Sequence, residues 1–304
     1  MGRIAEALRR AQHERAQRLG GSSALPVESS SRPEKSEALI ADVPAMAGAT
    51  DELSAIFRPP PPPLPFTVNA VPIEGTGVGR EVLAFHEPTS AIAEKYRSVR
   101  TRLLTANPGG SARVLAVTST LPREGKTVTV ANLGFSLAEL RHLRVAMVDL
   151  DLRRAGLTAL LHARELPGIC EVLRGEKRLA EVCVPVVREN LFFVPAGDPQ
   201  KESPSDLLAG DRVAQVFKEI RERFHYTLAD TPPINAFADI GLIGPLCHSV
   251  LIVVRMNQTP EPLLRRSVKM LQANQLPITG CVLAGCSDEA AYYGDNQDYY
   301  VAEG

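Results

Sequence analysis

The sequence predicts a doubly wound α/β domain with a mostly parallel sheet. Short apolar segments alternate with helical patterns along residues 81–286, and several of them, such as 250–254, are apolar on both faces. Strands of that composition are buried on both sides, as in parallel sheets that helices cover on each face. The alternation itself is typical of this architecture, because parallel strands need a crossover connection.

Apolar runs and helix-start residues define the individual elements. Ser90 precedes a helical pattern, and serine is a residue type that caps helix N-termini. We predict strands at 112–118, 144–148, 191–194, 226–229, 249–254 and 278–283, helices at 91–104, 125–140, 205–223 and 261–273, and a turn with a short helix near 168–173.

Composition limits the class of protein. Over 304 residues, 34 Lys and Arg nearly balance 35 Asp and Glu, so the net charge of −1 gives no basic footprint for nucleic acid. The five cysteines form no C-x-x-C pair, which favours buried thiols over a metal site. No apolar run approaches the roughly 20 residues of a membrane span, and charged residues interrupt the early apolar stretches. These features predict a cytoplasmic protein without a membrane span.

The α/β domain is predicted to be one of four segments. Residues 1–19 form a basic amphipathic pattern that suits an anionic membrane, a partner protein or plain solvation, and the sequence does not choose among them. Residues 20–80 are rich in Pro and Ser, including Pro59–Pro63, and predict a disordered linker with a stiff spacer. Residues 287–304 predict a flexible tail.

A phosphate-binding loop is predicted between the first strand and the following helix. Gly125 permits close approach of the backbone, Lys126 would reach the phosphates and the hydroxyl of Thr127 would bind Mg²⁺. The first glycine of the usual G-x-x-x-x-G-K-[ST] pattern is replaced by Thr120. The predicted nucleotide-binding residues are Pro122, Arg123, Glu124, Gly125, Lys126, Thr127 and Val128.

Aspartates follow two of the predicted strands. Asp149 and Asp230 each stand at the carboxyl edge of the sheet, where ligands bind in α/β folds. Carboxylate and hydroxyl oxygens are ligands of Mg²⁺, so Thr127, Asp149 and Asp230 form the predicted metal set. Asp151 lies near the same edge, and Asp149 or Asp151 is the candidate base that would accept the proton of an attacking hydroxyl.

Three motifs carry a resemblance to a known family. The stretches Leu121–Thr127, Val145–Arg153 and Leu228–Pro233 resemble the Walker A, A′ and B motifs of bacterial tyrosine kinases. That family belongs to the deviant Walker-A type of P-loop NTPase. The resemblance implies an ATP-dependent protein-tyrosine autokinase in which Lys126, Asp149 and Asp151 are catalytic and ATP and Mg²⁺ are the cofactors.

The resemblance extends to other segments. Glu94, Arg97 and Arg100 match the oligomerisation motif E-x-x-R-x-x-R of the family, although such a stripe is also typical of a solvated helix face. Four tyrosines of the tail, which lie among acidic residues, resemble autophosphorylation sites of a neighbouring subunit. They are Tyr292, Tyr293, Tyr299 and Tyr300.

Four positions depart from related patterns. Leu121 replaces the signature lysine of partition-type ATPases, which argues against that class. Arg123 occupies a frequent glycine position of the loop, and Ala284 stands where the family usually has Asn. His248 replaces a common acidic residue before a buried strand.

The family also implies partners. These are a ring-like homo-oligomer, a membrane-bound activator of polysaccharide synthesis or export that recruits the kinase to the membrane, and a cognate tyrosine phosphatase. Two alternatives stay open at this point. One is a positioning or partition ATPase without a tyrosine substrate, and the other is a nucleotide-binding scaffold of an export complex.

Overall fold

A computed structural model describes residues 70–236 and 239–285 and contains one seven-stranded sheet. Its order is β3-β4-β2-β5-β1-β6-β7. The strands are β1 (Arg113–Ser119), β2 (Val145–Asp149), β3 (Val184–Val186), β4 (Arg188–Val194), β5 (Tyr226–Asp230), β6 (Ser249–Arg255) and β7 (Ile278–Ala284).

All neighbouring strands of the sheet are parallel except β3 and β4. Strand β1 lies between β5 and β6, and β5 separates β1 from β2. The chain therefore winds in both directions from the centre of the sheet. That arrangement opens a crevice at the carboxyl ends of β1, β2 and β5, where open α/β sheets bind ligands.

In the described ranges, ten α-helices connect and cover the strands. They are α1 (Leu83–His86), α2 (Ala91–Thr105), α3 (Lys126–Ala138), α4 (Gly156–Leu160), α5 (Ile169–Arg174), α6 (Leu179–Val182), α7 (Pro204–Ala209), α8 (Arg212–Arg223), α9 (Asp239–Ile243) and α10 (Glu261–Ala273). Short 3₁₀ turns lie at Gly75–Gly77 and Gly244–Leu246.

Two apolar cores sandwich the sheet. Helix α3 is buried along nearly its whole length, with Leu133 and Phe135 in the first core. Apart from Lys126 and Asn132, its side chains are small or apolar all round, as expected of a helix that has neighbours on every side. On the opposite face, α8 packs Phe217 and Ile220 into the second core. The sheet with helices on both faces confirms the predicted fold class.

Most predicted elements are confirmed to within about three residues, and α10 begins and ends as predicted. The prediction of one helix over 205–223 is wrong. Gly210 adopts an extended conformation and divides the segment into α7 and α8, because glycine is a weak helix former. The short elements α1, α4, α6, α9 and β3 were not predicted, since so few residues show no clear periodicity.

The folded domain begins before the predicted boundary at residue 81. The backbone N–H of Ile73 donates to Pro185 (2.8 Å), and Val78 is buried. The apolar side chains at these positions join the first core and so order the chain that leads to α1. The predicted helix at 1–19 and nearly all of the linker lie outside the described residues. Within the described ranges, no helix is both long and apolar enough to cross a membrane.

Candidate active site

The candidate site lies where β1, β2 and β5 end. The loop after β1 leads directly into α3, whose first residue is Lys126. Asp149 and Asp230 are the last residues of β2 and β5, and they are paired in register across the two strands. The sheet therefore brings the loop and both aspartates together, although 104 positions separate Lys126 from Asp230 in the sequence.

Two residues give the loop its shape. Gly125 has a φ of 99°, a conformation that favours glycine. Arg123 has a φ of 66°, so a bulky residue occupies the left-handed region where glycine is common. Its side chain is exposed, and the strain of that conformation is on the order of 1–2 kcal/mol.

Glu124 anchors the loop to the segment after β6. Its side chain is fully buried, accepts a hydrogen bond from the N–H of Leu121 (2.9 Å) and is hydrogen-bonded to the hydroxyl of Thr259 after β6. The carboxylate therefore faces the protein, and the contribution of Glu124 to a bound nucleotide is restricted to its backbone. No local pattern indicates Thr259 as a partner, because 135 positions separate the two residues.

Lys126 and Thr127 contact the carboxylates at the sheet edge. The Lys126 Nζ donates to Asp151 (2.8 Å) and Asp230 (3.2 Å), and the Thr127 hydroxyl donates to Asp230 (2.7 Å). Burial works to lower the pKa of Lys126, but the charges of Asp230 and Asp151 outweigh it and raise the pKa above its ordinary value. The ammonium is thus held as a cation between two carboxylates.

Asp149 is turned toward α4 instead. One carboxylate oxygen accepts hydrogen bonds from the N–H and the hydroxyl of Thr158 (2.8 Å each), and the other accepts one from the N–H of Asp151 (3.2 Å). Thr158 was missed in the sequence, where nothing distinguishes it from other threonines. Its hydroxyl also accepts from the N–H of Ala196, so it ties β2 to the end of β4.

Buried negative charge exceeds positive charge at this edge. Asp149, Asp151 and Asp230 are all at most 1% exposed and share one ammonium group, that of Lys126. Burial and the charge of Asp230 raise the pKa of Asp149 to about 7, despite the opposing hydrogen bonds from Thr158. Burial likewise raises the pKa of Asp230, against the opposing effects of Lys126 and Thr127. A further cation would relieve this excess.

The donor set fits Mg²⁺. The Oδ1 atom of Asp151 is buried and has no hydrogen-bond partner among the described residues. The hydroxyl of Thr127 and the carboxylate of Asp230 supply further oxygen ligands. No group of three or more His, Cys, Asp and Glu side chains in the described ranges is arranged to hold a metal on its own. Few protein ligands are typical of Mg²⁺, which keeps water and phosphate oxygens.

A second polar cluster flanks the site. The guanidinium of Arg153 donates to the buried Asp239 (3.2 and 3.3 Å) and to the hydroxyl of Ser205 (2.7 Å). Ser205 in turn donates to Asp239 (2.7 Å). The cluster connects the segment after β2 with the starts of α7 and α9, and no local sequence pattern indicates it.

The predicted oligomerisation residues lie on α2, at a distance from the aspartates in the fold. Arg97 pairs with Glu139 at the end of α3 (2.7 and 2.9 Å) and also with Glu94. Arg100 pairs with Glu139 and donates to the carbonyl of Ser136 (2.7 Å). Both arginines therefore fasten α2 to α3 within one chain. The four predicted acceptor tyrosines lie outside the described residues.

Several proteins of known kind resemble this chain. The tyrosine-protein kinase wzc of Salmonella typhimurium is 29% identical over 223 residues, which are 73% of this chain and 31% of that protein. The tyrosine-protein kinase YwqD of Bacillus subtilis is 26% identical over 74% of this chain and 96% of its own length. The succinoglycan biosynthesis transport protein ExoP of Rhizobium meliloti is 31% identical over 59% of this chain and 23% of its own.

The fold is similar to solved kinase domains. The kinase domain of the Escherichia coli tyrosine kinase ETK superposes with a TM-score of 0.63 and 26% identity, over 67% of this chain and 79% of that domain. No protein-family model matches the sequence. This chain spans only about a third of the Salmonella protein but nearly all of the Bacillus one. In sequence and fold the chain is therefore similar to bacterial tyrosine kinases, and the loop at Lys126 and the aspartates that end β2 and β5 agree with that likeness.

Proposed function

We propose that this chain is an ATP-dependent protein-tyrosine kinase. The observation that carries the proposal is the contact of Lys126 and Thr127 with Asp151 and Asp230 at the carboxyl edge of the sheet. A loop lysine, a hydroxyl and carboxylates are the groups that phosphoryl transfer requires for positioning and charge compensation. The likeness to tyrosine kinases of Salmonella and Bacillus supports tyrosine as the acceptor.

Each residue of the loop has a distinct task in this proposal. The N–H groups of residues 123–128 bind the phosphates, and Lys126 leaves its carboxylate partners to reach them. Thr127 and Asp230 would hold Mg²⁺, which offsets negative charge on the phosphate oxygens when bound. The metal role of Asp149 stays a prediction, because both of its oxygens already accept hydrogen bonds in this structure.

A base near the transferred phosphoryl group would accept the proton of the tyrosine hydroxyl. Asp151 suits this role, because its Oδ1 atom has no hydrogen-bond partner in the described part of the chain. When Lys126 moves to the phosphates, the Oδ2 atom of Asp151 loses its contact as well. Both oxygens are then available to a phenol, whose ordinary pKa near 10 calls for such assistance. Asp149 remains the second candidate for the base.

The proposed acceptors are Tyr292, Tyr293, Tyr299 and Tyr300 of a neighbouring subunit. About 18 residues follow Cys286, and an extended chain of that length spans roughly 60 Å at about 3.3 Å per residue. Each phosphate would add about −1.5 to −2 charges to a segment that is already acidic. In this proposal the accumulated charge separates the subunits of a ring-like homo-oligomer. Native mass spectrometry before and after full phosphorylation tests this step, and an unchanged oligomer contradicts it.

The proposed biological role is control of polysaccharide synthesis or export. The name of the ExoP relative, a succinoglycan biosynthesis transport protein, supports it. A membrane-bound activator would recruit the kinase to the membrane, and a cognate tyrosine phosphatase would reverse the modification. These partners rest on the family resemblance alone.

Phosphotyrosine mapping tests the activity. The purified protein is incubated with Mg-ATP, and modified tyrosines are identified by mass spectrometry in the parent, in Lys126→Ala and in Lys269→Ala. Lys269 is an exposed residue of α10 and serves as the matched control. We expect phosphate on the tail tyrosines of the parent and of the control only. Lys126→Ala leaves two buried carboxylates without their cation. Circular dichroism therefore checks that this variant is folded.

Other outcomes identify the alternatives. Hydrolysis of ATP without phosphotyrosine would indicate a positioning ATPase. If neither ATP hydrolysis nor phosphotyrosine were found, even with the proposed membrane-bound activator present, a scaffold would be indicated. Either result overturns the proposed kinase activity.

A further inference from the structure

A second polar cavity lies at the opposite end of the sheet. Its volume is about 160 Å³, and it is formed where β1, β5, β6 and β7 begin. Strand β1 separates it from the phosphate loop by seven residues, or roughly 20 Å. The lining residues are Leu103, Ala106, Asn107, Arg113, Leu115, Tyr226, His248, Ser249 and Thr279.

Hydrogen bonds hold the polar wall of this cavity in place. The amide of Asn107 donates to the hydroxyl of Tyr226 (3.1 Å) and to the carbonyl of Ser111 (2.8 Å). The backbone N–H of His248 donates to the carbonyl of Val114 (2.8 Å), and the ring Nδ1 of His248 accepts from the N–H of Val114 (2.9 Å). Because Nδ1 is an acceptor, the proton of the neutral ring is on Nε2.

Three donors of the wall have no acceptor among the described residues. They are the Nε2–H of His248, the hydroxyl hydrogen of Tyr226 and the guanidinium of Arg113. The lining contains no carboxylate. Burial and the positive charges of Arg113 and Arg221 lower the pKa of His248 below its ordinary value. The wall of the cavity therefore presents hydrogen-bond donors that are already in place, and the nearby charges are positive.

We propose that this cavity binds one phosphate-sized oxyanion, held by Arg113, His248 and Tyr226. The volume of about 160 Å³ is large enough for a phosphate group. Charge-assisted hydrogen bonds to a guanidinium are the strong interactions that such a site needs. A carboxylate at position 248 would pair with Arg113 and neutralise it, so the site depends on the histidine.

Titration with inorganic phosphate tests the site in the full-length protein. The Cε1–H resonance of His248, assigned with His248→Asn, is followed by NMR against sodium chloride of matched ionic strength. We expect a saturable shift in the parent and an affinity at least about tenfold weaker in Arg113→Gln. Lys126→Ala, which alters the phosphate loop, should leave this shift unchanged. The test is therefore independent of kinase activity.

A second variant places a carboxylate at position 248. In His248→Asp the carboxylate can accept from the N–H of Val114 and pair with Arg113, so we expect a folded protein that does not bind phosphate here. Because this variant lacks the histidine resonance, binding is followed by broadening of the ³¹P signal of phosphate, which we expect in the parent and not in the variant. The same titration with methyl phosphate distinguishes the two possible sources of the anion. Binding of both anions indicates a phosphate group on a larger molecule, and binding of the inorganic ion alone indicates free phosphate. A linear, unsaturated shift, or equal affinity in Arg113→Gln, would overturn the proposal.

Discussion

The two ends of the central sheet carry opposite charge in excess. At the carboxyl end, three buried aspartates share the single ammonium of Lys126. At the amino end, Arg113 and His248 line a cavity without a carboxylate. Strands β1 and β5 reach both ends, so the same elements present acceptors on one side and donors on the other. This difference is the basis for the cation-dependent site proposed at one end and the anion site proposed at the other.

Removal of Mg²⁺ is the largest expected perturbation of this contrast. We expect EDTA to reduce phosphotyrosine formation by at least about 100-fold, because negative charge at the carboxyl end and on ATP would be left uncompensated. Binding of phosphate at the amino end, read at His248, should not change. The measurement is quantitative mass spectrometry of the tail tyrosines beside the NMR titration. If EDTA abolished phosphate binding at His248 as well as phosphotyrosine formation, the two ends would not be independent.

Thr158→Val tests how the acidic end is held together. The change removes a hydrogen bond to Asp149 and leaves the N–H of Ala196 without its acceptor, so we expect a loss of about 2–3 kcal/mol in the free energy of unfolding. Urea denaturation measures it. Thr105→Val on the exposed end of α2 is the control, with an expected loss below about 0.5 kcal/mol. Equal losses in the two variants would contradict a special role for Thr158.

Arg123→Gly tests the strain of the phosphate loop. Because Arg123 has a φ of 66°, glycine should raise the free energy of unfolding by up to about 1 kcal/mol or leave it unchanged. The same change at Arg102 in α2 should lower it by about 1 kcal/mol, as glycine does in helices. The opposite signs are the informative result. A loss at Arg123 similar to that at Arg102 would show that the arginine side chain stabilises the loop by contacts of its own.

The carboxyl end was largely predictable from the sequence, and the amino end was not. Strand ends at Asp149 and Asp230 and the loop at Lys126 are local patterns, and the parallel sheet brings them together without further information. The partners Thr158, Thr259 and Glu139 depend on contacts between distant segments that no local pattern encodes. Nothing in the sequence near His248 indicates a site, and only the structure shows that it lines one cavity with Arg113 and Tyr226.

The smallest expected effect concerns the pH dependence that His248 gives to the amino end. Its folded-state pKa lies below the ordinary value of 6.5, because burial and the charges of Arg113 and Arg221 disfavour the charged ring. The unfolded chain therefore binds the proton more readily. The contribution of His248 to stability is full above about pH 6.5 and is lost as the pH falls through the folded-state pKa. Since the ring is only partly buried, we expect a loss below about 1 kcal/mol.

Urea denaturation at about pH 7.5 and about pH 5 measures this loss in the parent, in His248→Asn and in the exposed control His142→Asn. The parent and the control should lose more stability on acidification than His248→Asn does, and an equal loss in all three would contradict the assignment. Added phosphate should oppose the loss in the parent, because an oxyanion beside the ring favours its protonated form. It should not do so in Arg113→Gln. If phosphate protected both proteins equally, the anion would act elsewhere. The positive charges near His248 would then lower its pKa without forming a binding site.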